Sequence, residues 1–228
     1  MQARPSTAPR SDGSRRPGEP APWARLAPEA RQGISVRRVR EAVEARHRVL
    51  GGPGQVSDEE HLLTGTRAAV LVPIFEEDGE ARVVLTRRAA HLRTHPGEVS
   101  FPGGRLDAGE GPEEGALREA AEEIALDPGS IEVVGRLTPV FTLSSGAAIT
   151  PVVGVISSRP RLLANPSEVE RVFDVALARL AAVDVFREER WVVLGTSSPV
   201  WFFELDEDTV CGATARILVE LLRLALEV

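Results

Sequence analysis

Residues 104–126 read GRLDAGEGPEEGALREAAEEIAL and combine a glycine-rich turn with a run rich in alanine and glutamate. A glycine-rich turn is followed by a predicted helix from Pro112 to about Ile124, because proline suits the first turn of a helix. Glu119, Glu122 and Glu123 lie three and four residues apart, so their side chains share one helical face. Like charges this close destabilise a helix unless a cation lies among them, and a hard divalent ion such as Mg²⁺ binds carboxylate, water and phosphate oxygens. The stretch therefore predicts metal-dependent phosphate chemistry.

The spacing within this stretch resembles that of the Nudix box, which reads Gly, five residues, Glu, seven residues, Arg-Glu-X-X-Glu-Glu and then X-Gly-apolar. The residues in register are Gly104, Glu110, Arg118, Glu119, Glu122, Glu123 and Leu126. Ala125 replaces the family's penultimate glycine, which affects the helix exit and removes no oxygen ligand. Glu110 has two possible roles: it either supports the metal ligands or binds another ion itself. The structural alternative for the whole stretch is a solvated acidic helix in which Arg118 pairs with Glu114 and Glu122.

The one-turn spacing of Glu119 and Glu123 makes them the leading metal ligands, and Glu122 completes the cluster. We expect the ion, Mg²⁺ or Mn²⁺, to neutralise phosphate oxygens and to lower the pKa of bound water. Gly103 allows the backbone to approach closely, so its carbonyl oxygen is a further candidate ligand. The resemblance implies that Arg118 orients Glu119 and does not contact the substrate.

A second set of motif residues lies directly upstream. It reads Val84-Leu85-Thr86-Arg87-Arg88-Ala89, then Arg93, Gly97 and Phe101-Pro102-Gly103-Gly104. This pattern is similar to the signature of coenzyme A (CoA) pyrophosphatases within the Nudix superfamily, which is Leu-Leu-Thr-X-Arg-Ser/Ala, three residues, Arg, three residues, Gly, three residues, Phe-Pro-Gly-Gly. The resemblance implies CoA or acyl-CoA as the substrate. We expect Arg87 and Arg93 to contact its phosphates, since arginine offers a planar and always charged fork, and Gly97 and Phe101 to help form the binding site.

Glu168 has two interpretations. The resemblance suggests a general base, because Nudix enzymes often recruit a glutamate from a late loop. Asn165-Pro166-Ser167-Glu168 is equally typical of a helix start, with an N-cap, a first-turn proline and a glutamate at the third position. That second interpretation predicts a helical region from Asn165 to Leu180.

The order of predicted elements indicates an α/β (α+β) protein, with a mixed β-sheet sandwiched between helices, and the resemblance implies the same Nudix fold. Strands are predicted at 67–75, 82–86, 131–141 and 149–156, with two more between 191 and 205, and helices at 36–50, 112–124 and 214–226. We expect three regions. They are a disordered Arg- and Pro-rich leader at 1–22, an N-terminal helical segment at 23–58, and a Nudix hydrolase domain at 59–228.

Composition narrows the class of protein. The 228 residues carry a net charge of −7, although residues 1–48 hold eleven arginines against five acidic residues. An acidic body argues against nucleic-acid binding, and the sequence contains neither an apolar signal core nor a membrane-length apolar run. The one cysteine, Cys211, excludes an internal disulfide and suits a cytoplasmic location. The oligomeric state stays open, with a homodimer as the candidate assembly.

Three functions remain in competition. The leading hypothesis is a hydrolase that splits the pyrophosphate of CoA and its thioesters into 3′,5′-ADP and 4′-phosphopantetheine or its acyl form. The second is a Nudix hydrolase for ADP-ribose, a dinucleotide or a nucleoside triphosphate. The third is a silent nucleotide-binding module, whose expected mark, loss of a box glutamate, is absent from this sequence.

Overall fold

The computed structural model describes residues 15–49, 66–142, 146–193 and 196–228. The strands within these ranges are β1 (Arg15–Pro17), β2 (Arg67–Glu77), β3 (Glu80–Arg88), β4 (Val99–Ser100), β5 (Gly103–Arg105), β6 (Ile131–Arg136), β7 (Val140–Phe141), β8 (Ala148–Ile156), β9 (Val169–Ala176), β10 (Phe186–Val193), β11 (Thr196–Glu204) and β12 (Thr209–Val210). The α-helices are α1 (Val36–Val49), α2 (Pro112–Ile124), α3 (Leu177–Leu180) and α4 (Gly212–Leu226). None of the helices in the described ranges combines the length and apolar character needed to cross a membrane.

A mixed sheet forms the centre of the fold, with strand order β4-β3-β2-β8-β6. Strands β2 and β8 run parallel from the Arg67–Ala148 pair to the Phe75–Ile156 pair, whereas β3 and β6 flank them antiparallel. Three further pairings extend the sheet, the short ones of β5 with β2 and of β7 with β8, and the longer one of β9 with β3. The β2–β3 hairpin closes at Asp78-Gly79, where both residues have positive φ, as the Asp-Gly signal predicted.

The two faces of this sheet bury different residues, as expected when side chains alternate along a strand. One face packs against helix α2 through Ala69, Leu71, Phe75, Val84 and Val152, which contact Ala116, Ala120 and Ile124. The opposite face contributes Val72, Ile74, Val83, Leu85 and Val153 to a larger core that includes Val39 and Val43 of α1 and Leu218, Leu221 and Leu222 of α4. The predicted mixed sheet between helical layers is therefore confirmed.

A second, antiparallel sheet has the strand order β1-β10-β11-β12. Arg15–Pro17 pairs with Trp191–Glu189, and the Gly18 amide donates to the carbonyl of Glu188 at 2.9 Å. Trp23 is fully buried and packs against Phe186 and Phe203. The predicted disorder of residues 1–22 is therefore wrong for residues 15–22, because a strand partner and the Trp23 anchor order this backbone. Residues 1–14, and the predicted boundary between positions 58 and 59, lie outside the described residues.

The predicted helical region from Asn165 to Leu180 is also wrong for most of its length. Strand β9 occupies Val169–Ala176 and pairs with β3, and only Leu177–Leu180 is helical. Alternating apolar residues such as Val169 and Val175 fit a half-buried strand, and pairing with β3 overrides the local helix-start signal. The two strands predicted between 191 and 205 are present, although β10 begins earlier, at Phe186.

Candidate active site

Helix α2 begins and ends where the sequence predicted. Gly111 is its N-cap residue, Pro112 opens it, and the Glu114 carboxylate accepts a hydrogen bond from the Gly111 amide at 3.0 Å. At the other end Ala125 adopts a left-handed conformation, with φ 54° and ψ 31°. The family pattern has glycine at this position, and alanine there carries a conformational cost.

Two glycines bring the backbone of β5 against the carboxylates of α2. The Gly103 amide donates to Oε2 of the buried Glu123 at 3.1 Å. Gly103 has a φ of +155°, and a side chain there would overlap the carbonyl oxygen of Ala69. A Cβ on Gly104 would lie 2.5 Å from the carboxylate carbon of Glu119. Gly103 is therefore required where β5 lies against β2, and a side chain at position 104 would displace the Glu119 carboxylate.

Arg118 connects the carboxylates on the exposed side of the helix. Its Nε and Nη2 donate to the two carboxylate oxygens of Glu110 at 2.8 and 2.9 Å. Its Nη1 donates to Glu119 Oε1 at 3.0 Å and to Glu122 Oε2 at 3.4 Å. Hydrogen bonds from Arg118 lower the pKa of Glu110 to about 2. Glu110 thus supports Arg118, and Arg118 holds the Glu119 carboxylate.

The carboxylates form an acidic cluster in which the negative charges outnumber the positive charges nearby. Burial raises the pKa of Glu123 to about 7, against the opposing effects of the Gly103 amide and Arg88. Burial also raises the pKa of Glu119, although Arg118 opposes the shift. Neighbouring carboxylates add to both shifts, and the charge of Glu168 raises the pKa of each. The cluster therefore favours the binding of a cation.

The donor set fits a hard divalent ion that shares its coordination with the substrate. Glu119 and Glu123 offer carboxylate oxygens one turn apart, and burial raises the pKa of both carboxyl groups. Glu122 is 60% exposed at its side chain and pairs with Arg118. Within the described residues, no three Asp, Glu, His or Cys side chains form a complete cage. Mg²⁺ is characteristically bound by one or two carboxylates together with waters and substrate phosphates, so a partial cage is suitable.

Glu168 is held beside this cluster by the segment from Leu162 to Glu168. The Leu163 and Asn165 amides donate to the carbonyls of Ile124 and Glu123 at 3.0 and 2.8 Å, and so satisfy carbonyl groups at the end of α2. The Glu168 carbonyl accepts from the Ala89 amide at 2.8 Å. The predicted N-cap role is wrong, because Asn165 caps a turn through Ser167 and no helix follows. The exposed Glu168 side chain stays a candidate general base.

The four predicted substrate-binding residues have different surroundings. Arg87 lies on the face of β3 opposite α2 and pairs with Asp208 at 3.2 Å and Glu170 at 3.6 Å, an arrangement that does not support a substrate contact. Phe101 is buried in the core, at odds with its predicted role. Gly97 closes the 89–97 loop by donating to the carbonyl of Arg88 at 3.1 Å. Arg93 is exposed on the same loop and remains available to a ligand.

Arg88 is the site residue that the sequence interpretation missed. Its Nη1 lies 3.9 Å from Glu123 Oε1, on the α2 face of the sheet. The signal was present in the upstream signature, because Arg88 occupies the fixed arginine position and Arg87 the variable one. The alternation of side chains along β3 also assigns Arg87 and Arg88 to opposite faces.

Comparison with known proteins places this site in a family. The family profile described as "NUDIX domain" matches residues 65–192, more than half of the chain. The chain belongs to the Nudix hydrolase family. As a Nudix hydrolase it acts on phosphorus anhydrides of small molecules, and Nudix hydrolases generally use divalent metal ions.

Relatives of this Nudix hydrolase carry the same family name. The chain is 40% identical over 166 residues to the "Uncharacterized Nudix hydrolase NudL" of Salmonella paratyphi B, which covers 70% of this chain and 82% of the relative. The figures for the protein of the same name from Salmonella enteritidis are identical. A solved structure of a MutT/nudix family protein from Enterococcus faecalis has a TM-score of 0.50 at 15% identity, over 78% of this chain and 71% of that one. At this identity the likeness shows the Nudix fold alone.

Proposed function

We propose that this Nudix hydrolase cleaves the pyrophosphate bond of CoA and CoA thioesters with Mg²⁺ or Mn²⁺, giving 3′,5′-ADP and 4′-phosphopantetheine or its acyl derivative. The observation that supports the proposal is the position of the upstream signature around the box carboxylates. The Gly103 amide bonds Glu123, Gly104 lies against Glu119, and Arg88 points toward Glu123. Residues typical of CoA pyrophosphatases thus surround the carboxylates expected to bind the metal.

The chemistry requires a water molecule to reach a phosphorus atom that is shielded by negative oxygens. A divalent ion bound at Glu119 and Glu123 would neutralise those oxygens and acidify bound water. Arg118 orients Glu119, and the Gly103 amide orients Glu123, so both carboxylates are held before the substrate arrives. Glu122 completes the acidic cluster from its exposed position, and the Gly103 carbonyl is a further candidate ligand.

Proton transfer is assigned to Glu168. Its side chain is exposed, and its charge influences both Glu119 and Glu123. Hydrogen bonds from the Leu162–Glu168 segment to the end of α2, and from Ala89 to Glu168, fix its backbone. A carboxylate in this position can accept the proton of the attacking water, so Glu168→Gln should lower kcat far more than it raises KM.

Recognition of CoA beyond its pyrophosphate is assigned to Arg93. The guanidinium is exposed on the 89–97 loop and makes no salt bridge with any described residue. The adenosine 3′-phosphate of CoA offers a suitable acceptor for such a fork. This contact would distinguish CoA from ADP-ribose and other diphosphates that lack the phosphate group.

A substrate panel tests the proposal directly. We expect kcat/KM with Mg²⁺ to be highest for CoA and about tenfold or more lower for 3′-dephospho-CoA, because a charge-assisted contact is lost. Arg93→Ala should reduce this ratio, whereas Arg37→Ala, at an exposed arginine of α1, should leave it unchanged. A higher kcat/KM for ADP-ribose or a dinucleotide would contradict the CoA assignment. Binding without hydrolysis of any compound would favour a silent module.

A further inference from the structure

Arg88 has unused hydrogen-bond donors next to the carboxylates of the active site. Its Nη1 lies 3.9 Å from Glu123 Oε1, which is within reach of electrostatic attraction but too far for a hydrogen bond. Its Nε is buried and has no hydrogen-bond partner among the described residues. A buried donor without a partner is costly, so its retention requires an explanation.

The backbone of Arg88 is fixed on both sides. Its amide donates to the carbonyl of Glu98 at 2.9 Å, and its carbonyl accepts from the Gly97 amide at 3.1 Å. The side chain is 23% exposed, so it is partly open to a ligand from solution. The other arginine of the site, Arg118, donates instead to Glu110, Glu119, Glu122 and the Arg105 carbonyl. Of these two arginines, Arg88 is the one whose donors remain free for a ligand.

We infer that Arg88 is a catalytic residue that binds the pyrophosphate oxygens of the substrate beside the metal carboxylates. A guanidinium fork matches phosphate oxygens in shape and charge, and an acidic cluster needs such a cation to admit an anionic substrate. Because Arg88 lies close to Glu123, we expect it to contact the pyrophosphate that is cleaved and not the remote 3′-phosphate. The inference depends on the proposed function only in assuming phosphoanhydride hydrolysis.

The test compares Arg88→Ala and Arg88→Lys with Arg82→Ala. Arg82 lies on the same strand and pairs with Asp174, away from the carboxylates, so it is a matched control. Arg88→Ala should lower kcat/KM about tenfold or more for CoA and ADP-ribose alike, because both contain the pyrophosphate, and Lys should restore part of the loss. Arg82→Ala should keep the wild-type kcat/KM for both CoA and ADP-ribose.

Two binding measurements separate a substrate contact from a structural role. Electron paramagnetic resonance should show that Arg88→Ala binds Mn²⁺ at least as tightly as wild type, because a cation near the metal has been removed. Methylenediphosphonate, which is not hydrolysed, should bind the Mn²⁺-loaded variant about tenfold or more weakly. A parallel loss of Mn²⁺ affinity would overturn the inference, since Arg88 would then merely hold Glu123.

Further outcomes are equally decisive. Loss confined to CoA would place Arg88 at the 3′-phosphate or the pantetheine arm and would overturn the inference, as would wild-type kinetics in Arg88→Ala. If Arg88→Ala does not fold, Arg88→Lys and Arg88→Gln provide the same comparisons. If wild type prefers ADP-ribose, the CoA proposal fails. The kcat/KM of Arg88→Ala relative to wild type, measured with ADP-ribose, still decides the role of Arg88.

Discussion

Replacing Glu123 with Gln should stabilise the metal-free protein at alkaline pH. The Glu123 side chain is buried, and burial raises its pKa from the usual 4.5 to about 7. Between these values the folded state retains a proton that the unfolded state has lost, so stability decreases as pH rises through this interval. Below about pH 4.5 the stabilising contribution of protonated Glu123 to the folded state is fully present, and above about pH 7 this contribution is lost.

The size of the effect follows from that interval. Each pH unit corresponds to about 1.4 kcal/mol, so full ionisation of Glu123 costs up to about 3 kcal/mol of unfolding free energy. Glutamine has a similar shape, and its amide oxygen can still accept the hydrogen bond from Gly103. We expect Glu123→Gln to be more stable than wild type by about 2–3 kcal/mol at pH 8.5, or roughly 4–12 °C in Tm. The difference should almost vanish at pH 4.5.

Urea unfolding in EDTA, followed by tryptophan fluorescence at the two pH values, measures this difference. Glu122→Gln is the matched control, because this exposed neighbour should change stability by only about 0.5 kcal/mol or less. Added Mg²⁺ should stabilise wild type more than Glu123→Gln, because a ligand that binds the folded state raises its stability. Equal stability of wild type and Glu123→Gln at pH 8.5 would refute the description of Glu123 as a buried carboxylate held at an energetic cost.

Four further predictions concern separate parts of the molecule. Glu119→Gln should lower kcat about a hundredfold or more without changing the circular dichroism spectrum, since a charged metal ligand is lost; near wild-type kcat would remove Glu119 from the site. Asp208→Asn should lower unfolding free energy by about 1–3 kcal/mol in urea titrations, because Asp208 is buried between Arg87 and Arg171, and kcat/KM should be unaffected. Ala125→Gly should raise Tm by about 1–4 °C, since glycine relieves the left-handed backbone, and a lower Tm would argue against that conformation. Removal of residues 1–22 should lower Tm relative to removal of residues 1–14, because β1 is lost, and equal values would show that the β1 pairing contributes nothing.

Features with local determinants were predictable from sequence. The start of α2 follows from Pro112, and the convergence of Glu119 and Glu123 follows from helix geometry. The left-handed conformation of Ala125 also agrees with the glycine expected there. Each of these inferences needed only neighbouring residues.

Features determined by distant contacts were not predictable in this way. Asn165 begins a turn that resembles a helix start, but the following residues pair with β3, more than eighty positions earlier in the chain. Trp23 contacts Phe186 and Phe203, so the order of residues 15–22 depends on the far end of the sequence. The upstream signature distinguishes Arg88 from Arg87, but only the orientation of β3 relative to α2 shows that Arg88 is the arginine beside Glu123.

The most direct test of the central claim is product identification after incubation of CoA and Mg²⁺ with the wild-type protein. Mass spectrometry should detect 3′,5′-ADP and 4′-phosphopantetheine in equal amounts, formed about a hundredfold or more slowly by Glu119→Gln and not at all in EDTA. Cleavage at any other bond, intact CoA alongside rapid hydrolysis of ADP-ribose, or product formation by Glu119→Gln at the wild-type rate would contradict the claim.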